Sequence, residues 1–409
     1  MLLDRILNPI IREGGFTVID SDGRRHVVGD KAHAAQIVIR LHDKALERKL
    51  ALHPQLALGE AYMDGTLTFE KGGLYELMDL VGRNFGVADP LPGESLRRFL
   101  GRALRRLQQF NPMSRSQRNV AHHYDLNDRL YSLFLDEDRQ YSCAYFERPD
   151  ATLEEAQLAK KRHIAAKLLL EPGQKVLDIG SGWGGMALYL AEAADVDVTG
   201  ITLSKEQFAL SQKRSADAGL GNRVQFKLED YRAERGLYDR IVSVGMFEHV
   251  GVPHYAAFFG KMRNLLADNG VALLHAIGRS DGPGVTNPWI RKYIFPGGYV
   301  PALSEVLPAI ERAGLWVTDI EILRLHYAET LRHWRERFMA HWSDVAAIYD
   351  ERFCRMWEFY LIGSEITFRH RGHMVFQIQI AKRVDTVPLT RDYVGEWEHL
   401  LKERSELAA

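Results

Sequence analysis

The stretch VLDIGSGWGGMA, residues 176–187, ends an apolar run on a glycine-rich turn. Gly180, Gly182 and Gly185 stand in the GxGxxG spacing, where missing Cβ atoms let backbone approach a bound ligand. A nicotinamide dinucleotide needs an acid about 20 residues further on, at the end of the second strand, to hold its adenosine ribose. That position reads Val198-Thr199-Gly200-Ile201-Thr202, without an acid. Asp178, two residues before the first glycine, instead offers a carboxylate suited to a cationic ammonium group. The pattern favours S-adenosylmethionine over NAD, with a ligand-free turn capped by Asp178 as the plainer alternative. Adenine would then lie near Glu229-Asp230-Tyr231, where Asp230 could accept from its exocyclic amine, although exposed acidic turns are common.

Cysteine is scarce. Cys143 and Cys354 are the only two, which form no disulfide framework and no CxxC zinc pair, so a reducing cytosol and no metal site are expected. Cys143 lies between Tyr141 and Tyr145 in QYSCAYFE, and these neighbours leave open whether it is a nucleophile, a metal ligand or neither. Glu248 and His249 in VGMFEHVG read equally as a helix-start pair, and His275 in LLHAIG as a satisfied core histidine.

The elements that must position these residues follow from patterning. The 409 residues are 46% hydrophobic and 26% charged, enough for two or three domains. A formal net charge of −1 gives no case for nucleic acid as the main partner. Asp4, Arg5 and Pro9 interrupt any signal-peptide core, and no run approaches the roughly 18 apolar residues of a membrane span. Residues 1–90 mix strand-like runs (FTVID, HVVG, QIVIRL, LTFE) with helical stretches, which predicts a small α+β domain. Residues 91–119 read as a linker carrying a basic amphipathic helix, SLRRFLGRALRRLQQF. Seven Arg and one Glu between residues 94 and 118 give it a local charge of +6. Such a helix suits an anionic bilayer, and equally the packing of two domains with its arginines solvated. From residue 175 strands alternate with helices: KVLDIG, a helix from Gly184, VDVTGIT, a helix from Ser204, VQFKLED, DRIVSVG and VALLHAIG. This predicts a doubly wound parallel sheet with its ligand at the carboxyl ends of the strands. Long helical segments and a late strand, MVFQIQIAKR, complete a domain over 120–409.

Eight fragments in series carry a more specific signal: AHHYDLNDRLYSLFLDEDRQYSCAYFERPD, LEEAQLAKKRHIAAKL, VLDIGSGWGG, GITLSKEQ, VGMFEHVG, LLHAIG, YIFPGGYVP and HYAETLRHW. Over residues 120–383 the chain resembles the cyclopropane-fatty-acyl-phospholipid synthases. The resemblance implies a class I methyltransferase-like α/β domain preceded by a smaller lipid-presenting α+β domain. It also implies transfer of the S-adenosylmethionine methyl carbon to the double bond of an unsaturated fatty acyl chain of a phospholipid, followed by ring closure. A bound bicarbonate is the implied base, held by Cys143, Glu248, His275, Ile277 and Tyr327. For the cofactor the implied residues are Tyr141, Gly180, Gly182, Thr202, Leu203 and Gln207, beside Asp178, Asp230 and Tyr231 from the residues themselves. Peripheral contact with the inner face of the membrane, a cytoplasmic location and a homodimer are further implications.

The implied chemistry explains these residue types. An isolated alkene is a weak nucleophile, so positioning supplies much of the acceleration, and the resulting carbocation must be kept from water. Tyr141, Tyr145, Phe146, Trp183, Phe247 and Tyr327 are candidate aromatic walls, two or three of which are expected at the site. Donors for the anion would be His275, Tyr327 and the N–H groups of Cys143 and Ile277, with Glu248 orienting it or receiving its proton. Cys143 is then a compact wall residue, because a free thiolate would itself be methylated. Three rivals stand: C-methylation of the same alkene to a methyl- or methylene-branched chain, an NAD-linked oxidoreductase, and a lipid carrier with a decayed catalytic domain.

Overall fold

A computed structural model of the chain describes residues 2–85 and 128–408; the expected basic helix, and His122, His123 and Tyr124, lie outside the described residues. The chain divides into two compact units. One comprises the described residues of Met1–Arg97 with Thr286–Pro296 and Ala328–His373; the other those of Arg98–Val285 with Gly297–Tyr327 and Met374–Ala409.

The first unit holds a four-stranded sheet, β1 (Gly15–Ile19), β2 (Arg25–Gly29), β3 (Val38–Leu41) and β4 (Leu67–Lys71), in the order β2-β1-β3-β4. Its first hairpin turns where the Asp20 carboxylate accepts the N–H groups of Asp22 and Arg24 at 3.0 and 2.9 Å. Asp43 caps the helix Lys44–Leu52 by accepting from Ala45 N–H, and Pro54 opens the next, Pro54–Met63. Phe16, Val18, Ile39, Leu46, Leu50 and Leu77 form its core. Gly59 is required by close approach: a Cβ there would stand 2.4 Å from Trp289 Nε1. The helix Glu351–His370 buries Glu365 between Arg335 and Arg369, at 3.1 and 2.9 Å.

The second unit carries β5 (Lys175–Ile179), β6 (Asp197–Thr202), β7 (Val224–Leu228), β8 (Tyr238–Val244), β9 (Leu266–Arg279), β10 (Trp316–Leu323) and β11 (His373–Ala381). They form one seven-stranded sheet in the order β10-β11-β9-β8-β5-β6-β7. The pairs β5/β6, β5/β8, β6/β7 and β8/β9 are parallel, and β10/β11 is antiparallel. The expected doubly wound sheet is present. Alternate residues feed two cores: Leu177, Ile241 and Leu274 belong to one, and Val176, Val242 and Leu273 to the other. Burial on both faces explains why these strands read as continuous apolar runs. Strand β10 was not anticipated. Asp319 and Glu321 break its apolar pattern, and its residues are mostly half-buried at the sheet edge. Because β5 lies between β6 and β8, the chain winds away in both directions from it, opening a crevice at its carboxyl end. Among the described residues no helix is long and apolar enough to cross a membrane.

Candidate active site

Strand β5 ends at the glycine turn. Gly180 and Gly182 adopt φ of +87° and +55°, and the helix Gly185–Ala194 follows. A Cβ at Gly180 would lie 2.7 Å from Met246 Cβ, whereas nothing stands within 4 Å of one at Gly182. The first glycine permits a close crossing, and the second leaves open space beside a left-handed turn. That space is a cavity of about 150 Å³. Tyr141, Asp178, Gly180, Gly182, Thr202, Leu203, Gln207, Asp230 and Tyr231, the expected cofactor residues, all line it. So do Arg139, Trp183, Met246 and His249, which sequence reasoning did not assign to the cofactor.

The polar groups of this cavity show what it could hold. Asp178 is buried and its Oδ2 has no hydrogen-bond partner. Burial pushes its carboxyl up to about 7, against the pull of Lys160. An orphaned buried carboxylate is costly unless a cationic donor arrives, and the ammonium of S-adenosylmethionine is such a donor. Ser181 Oγ is likewise buried without a partner. Thr202 Oγ1 donates to Gln207 Oε1 at 2.8 Å, leaving the Gln207 amide nitrogen as the pair's donor. Asp230 accepts from the Arg232 guanidinium on both oxygens, at 2.8 and 2.6 Å, and from the Arg232 N–H, which fixes the carboxylate at the cavity edge. His249 is pushed down to about 4 by burial and is neutral near pH 7.

None of the five residues expected to hold the anion lines this cavity. Glu248 sits in a short turn, Phe247–His249, after β8. Its Oε1 accepts the Ile277 N–H at 2.6 Å, while Oε2 is buried without a partner. Burial raises the carboxyl to about 7, so both protonation states are available near neutral pH. The Ile277 amide, expected as a donor to the anion, is thus given to Glu248. His275 precedes Ile277 by two residues on β9, placing both side chains on one face of the sheet, and its carbonyl accepts from the cavity-lining Gly245. Burial drives His275 well below its ordinary value, with Lys160, Lys167 and His163 pushing the same way.

Cys143 follows the cavity-lining Ser142 and is buried, its thiol donating to Ala144 O at 3.3 Å. Tyr327 is buried at the start of the helix His326–Ala340. Its neighbour His326 accepts from Phe146 N–H at 3.0 Å and stacks on Tyr145, tying this helix start to the segment that bears Cys143.

Sequence reasoning missed a row of buried cations. On the helix Leu153–Leu168, Lys160, Lys161, Arg162, His163 and Lys167 are all buried. Lys160 Nζ donates to Gln140 Oε1 and Ser142 Oγ at 2.6 and 2.9 Å, and burial lowers its ammonium to about 8. The available signal was weak: LEEAQLAKKRHIAAKL lacks a single apolar face, but its charges read equally as a solvated helix. Of the aromatic candidates, Tyr141 and Trp183 reach the cavity, whereas Phe247 is core, stacked on Tyr255.

Residues 112–378 match the family described as mycolic acid cyclopropane synthetase, and residues 6–86 match a domain of unknown function, DUF7884. The chain is 38% identical over 385 residues to a cyclopropane-fatty-acyl-phospholipid synthase of Escherichia coli, covering 93% of this chain and 94% of that one. It is 37% identical over 369 residues to a probable fatty acid methyltransferase of Pseudomonas putida, covering 86% and 89%. A mycolic acid cyclopropane synthase crystallised with SAH and CTAB superposes with a TM-score of 0.62 at 36% identity, over 66% of this chain and 99% of that one. With a family match over more than half its length, and a glycine-turn cavity suited to S-adenosylmethionine, this chain belongs to the mycolic acid cyclopropane synthetase family.

Proposed function

We propose that this protein transfers a one-carbon unit from S-adenosylmethionine to the double bond of an unsaturated fatty acyl chain of a phospholipid, forming a cyclopropane. The observation that carries this reading is Glu248 Oε2, a buried carboxyl oxygen without a partner beside the cofactor cavity. A simple methyl transfer to a heteroatom needs no such group; removal of a proton from a new methyl group does.

S-adenosylmethionine, when bound, supplies an electrophilic methyl carbon on a sulfonium. Asp178 and Ser181 would take its amino-acid end, and Thr202 and Gln207 its ribose. Tyr141 and Trp183 present aromatic faces that stabilise a desolvated cation by roughly 2 kcal/mol without attacking it. The same burial excludes water from the acyl carbocation. Bicarbonate, when bound, supplies a compact base too small to be matched by a flexible side chain. The His275 and Tyr327 side chains would donate to it, Glu248 would orient it or receive its proton, and the Cys143 turn would wall it in. Lys160 and Lys167 supply positive potential around His275. A positioned base of this kind is worth about 10²–10⁴ in rate.

The four-stranded sheet built from the N-terminal residues supports phospholipid as the carrier of the acyl chain, and the +6 charge of residues 94–118 supports peripheral contact with an anionic cytoplasmic membrane face. Cosedimentation with anionic vesicles, abolished by neutralising Arg97, Arg98, Arg102, Arg105 and Arg106, tests that contact. A homodimer completes the reading, and sedimentation of the purified protein tests it. C-methylation to a branched chain remains the second reading, favoured by the fatty acid methyltransferase relative. NMR of lipids recovered after incubating the enzyme with unsaturated phospholipid vesicles and S-adenosylmethionine separates the two. Ring hydrogens upfield of the methyl region support the proposal. Vinyl hydrogens of an exocyclic methylene, or a new methyl doublet, would overturn it.

A further inference from the structure

His275 is held from behind by a chain of groups outside the cofactor cavity. Gln377, on β11, is buried, and its Nε2 lies 3.2 Å from His275 Nδ1. An amide facing an imidazole is ambiguous by itself, since either end of the amide could face the ring. Here the other end decides. Gln377 Oε1 lies 2.7 Å from Lys167 Nζ, and an ammonium can only donate. The oxygen must therefore face Lys167, and the NH₂ must face His275.

Lys167 is itself fixed. It pairs with Glu321, which also accepts from His163 at 2.7 Å, and His163 bonds Glu398 on its other ring nitrogen at 2.6 Å. Gln379, two residues along β11, donates to the Lys167 carbonyl at 2.6 Å, so strand and helix end are latched twice.

We propose that Gln377, clamped by Lys167, is a positioning residue that fixes His275 as its Nε2–H tautomer. With Nδ1 committed as acceptor, the ring proton resides on Nε2, and His275 presents a donor toward the site beside Glu248. A second proton on Nδ1 would meet the Gln377 N–H head on. The imidazole then binds an oxyanion and does not act as a base. Resting on the reading above, this assigns proton removal to the anion and denies it to His275.

The test uses full-length enzyme labelled with ¹⁵N-histidine, with His275 assigned by the resonance lost in His275→Asn. Two-bond ¹H–¹⁵N correlations distinguish the two tautomers directly. The wild type is expected to show Nε2–H with no protonation at Nδ1 across neutral pH, before and after bicarbonate is added. In Gln377→Glu the new carboxylate accepts from both neighbours, so His275 should shift to carrying a proton on Nδ1. Turnover should then fall roughly 10- to 100-fold, the range for partners that orient a ligating histidine. Affinity for S-adenosylmethionine should stay within about twofold, since Gln377 does not line its cavity. An Nδ1–H tautomer in the wild type overturns the proposal even if no variant folds. So does a Gln377→Glu protein whose His275 tautomer is unchanged. An Nε2–H tautomer whose resonances ignore bicarbonate would uphold the positioning role and count against the anion reading alone.

Discussion

Replacing Asp178 with Asn should move stability and cofactor binding in opposite directions. In the native state burial raises this carboxyl from its ordinary 3.8 to about 7. The folded chain therefore holds a proton that the unfolded chain has already lost between about pH 4 and pH 7. Stability falls as pH rises through that window, and above it the folded protein carries the full cost of a buried, unpartnered carboxylate. At about 1.4 kcal/mol per pH, that cost is on the order of 4 kcal/mol, an upper figure for what Asn relieves. Asn keeps the shape and loses the charge. Urea unfolding of the ligand-free protein at pH 8 should show the variant more stable by roughly 1–4 kcal/mol, with the gain vanishing below about pH 4. Calorimetric titration with S-adenosylmethionine should show the reverse. Losing one charge-assisted hydrogen bond, at about 1.5–3 kcal/mol, weakens binding roughly 10- to 150-fold. Wild-type affinity should also decline below pH 7, as protonated Asp178 ceases to attract a cation. A variant that binds the cofactor as tightly as wild type, or that is less stable at pH 8, refutes the assignment.

Glu248→Gln preserves the acceptor for Ile277 N–H and removes the titrating group. Turnover is expected to fall about 10²–10⁴-fold with cofactor affinity unchanged in calorimetry. Cys143→Ser should keep substantial activity in a lipid methylation assay, since Ser preserves a hydroxyl donor to the Ala144 carbonyl; loss to under about one per cent in a folded protein would restore a covalent role. Lys160→Met removes the cation that holds Asp178 down, so the pH midpoint of S-adenosylmethionine binding should rise by roughly 1, followed by calorimetry across pH.

The cofactor cavity was legible because its residues cluster in sequence at strand ends. A carboxyl-terminal turn in a doubly wound sheet faces the crevice whatever the packing elsewhere, so Asp178 and Gly180 could be placed from strand order, whereas Thr202 and Gln207 came from the family resemblance. Hydrogen-bond allegiance could not. Nothing local reveals that Ile277 gives its amide to Glu248 across 29 positions. The buried cations were hidden for a related reason. A KKR run usually marks a solvated face, and only the tertiary partners Gln140, Asp138, Glu147 and Glu321 make its burial tolerable. Strand β10 shows the limit of periodicity: Glu321 interrupts its apolar pattern because it serves His163 and Lys167.

In the proposed reaction a buried acid and a captive anion take a hydrogen from the carbon just delivered. Incubating the enzyme with unsaturated phospholipid and cofactor bearing a trideuterated methyl group, then weighing the lipid product, tests it most directly. A cyclopropane product retaining two deuteriums is predicted. A product that retains all three would show that no hydrogen was removed from the delivered carbon and would contradict this assignment.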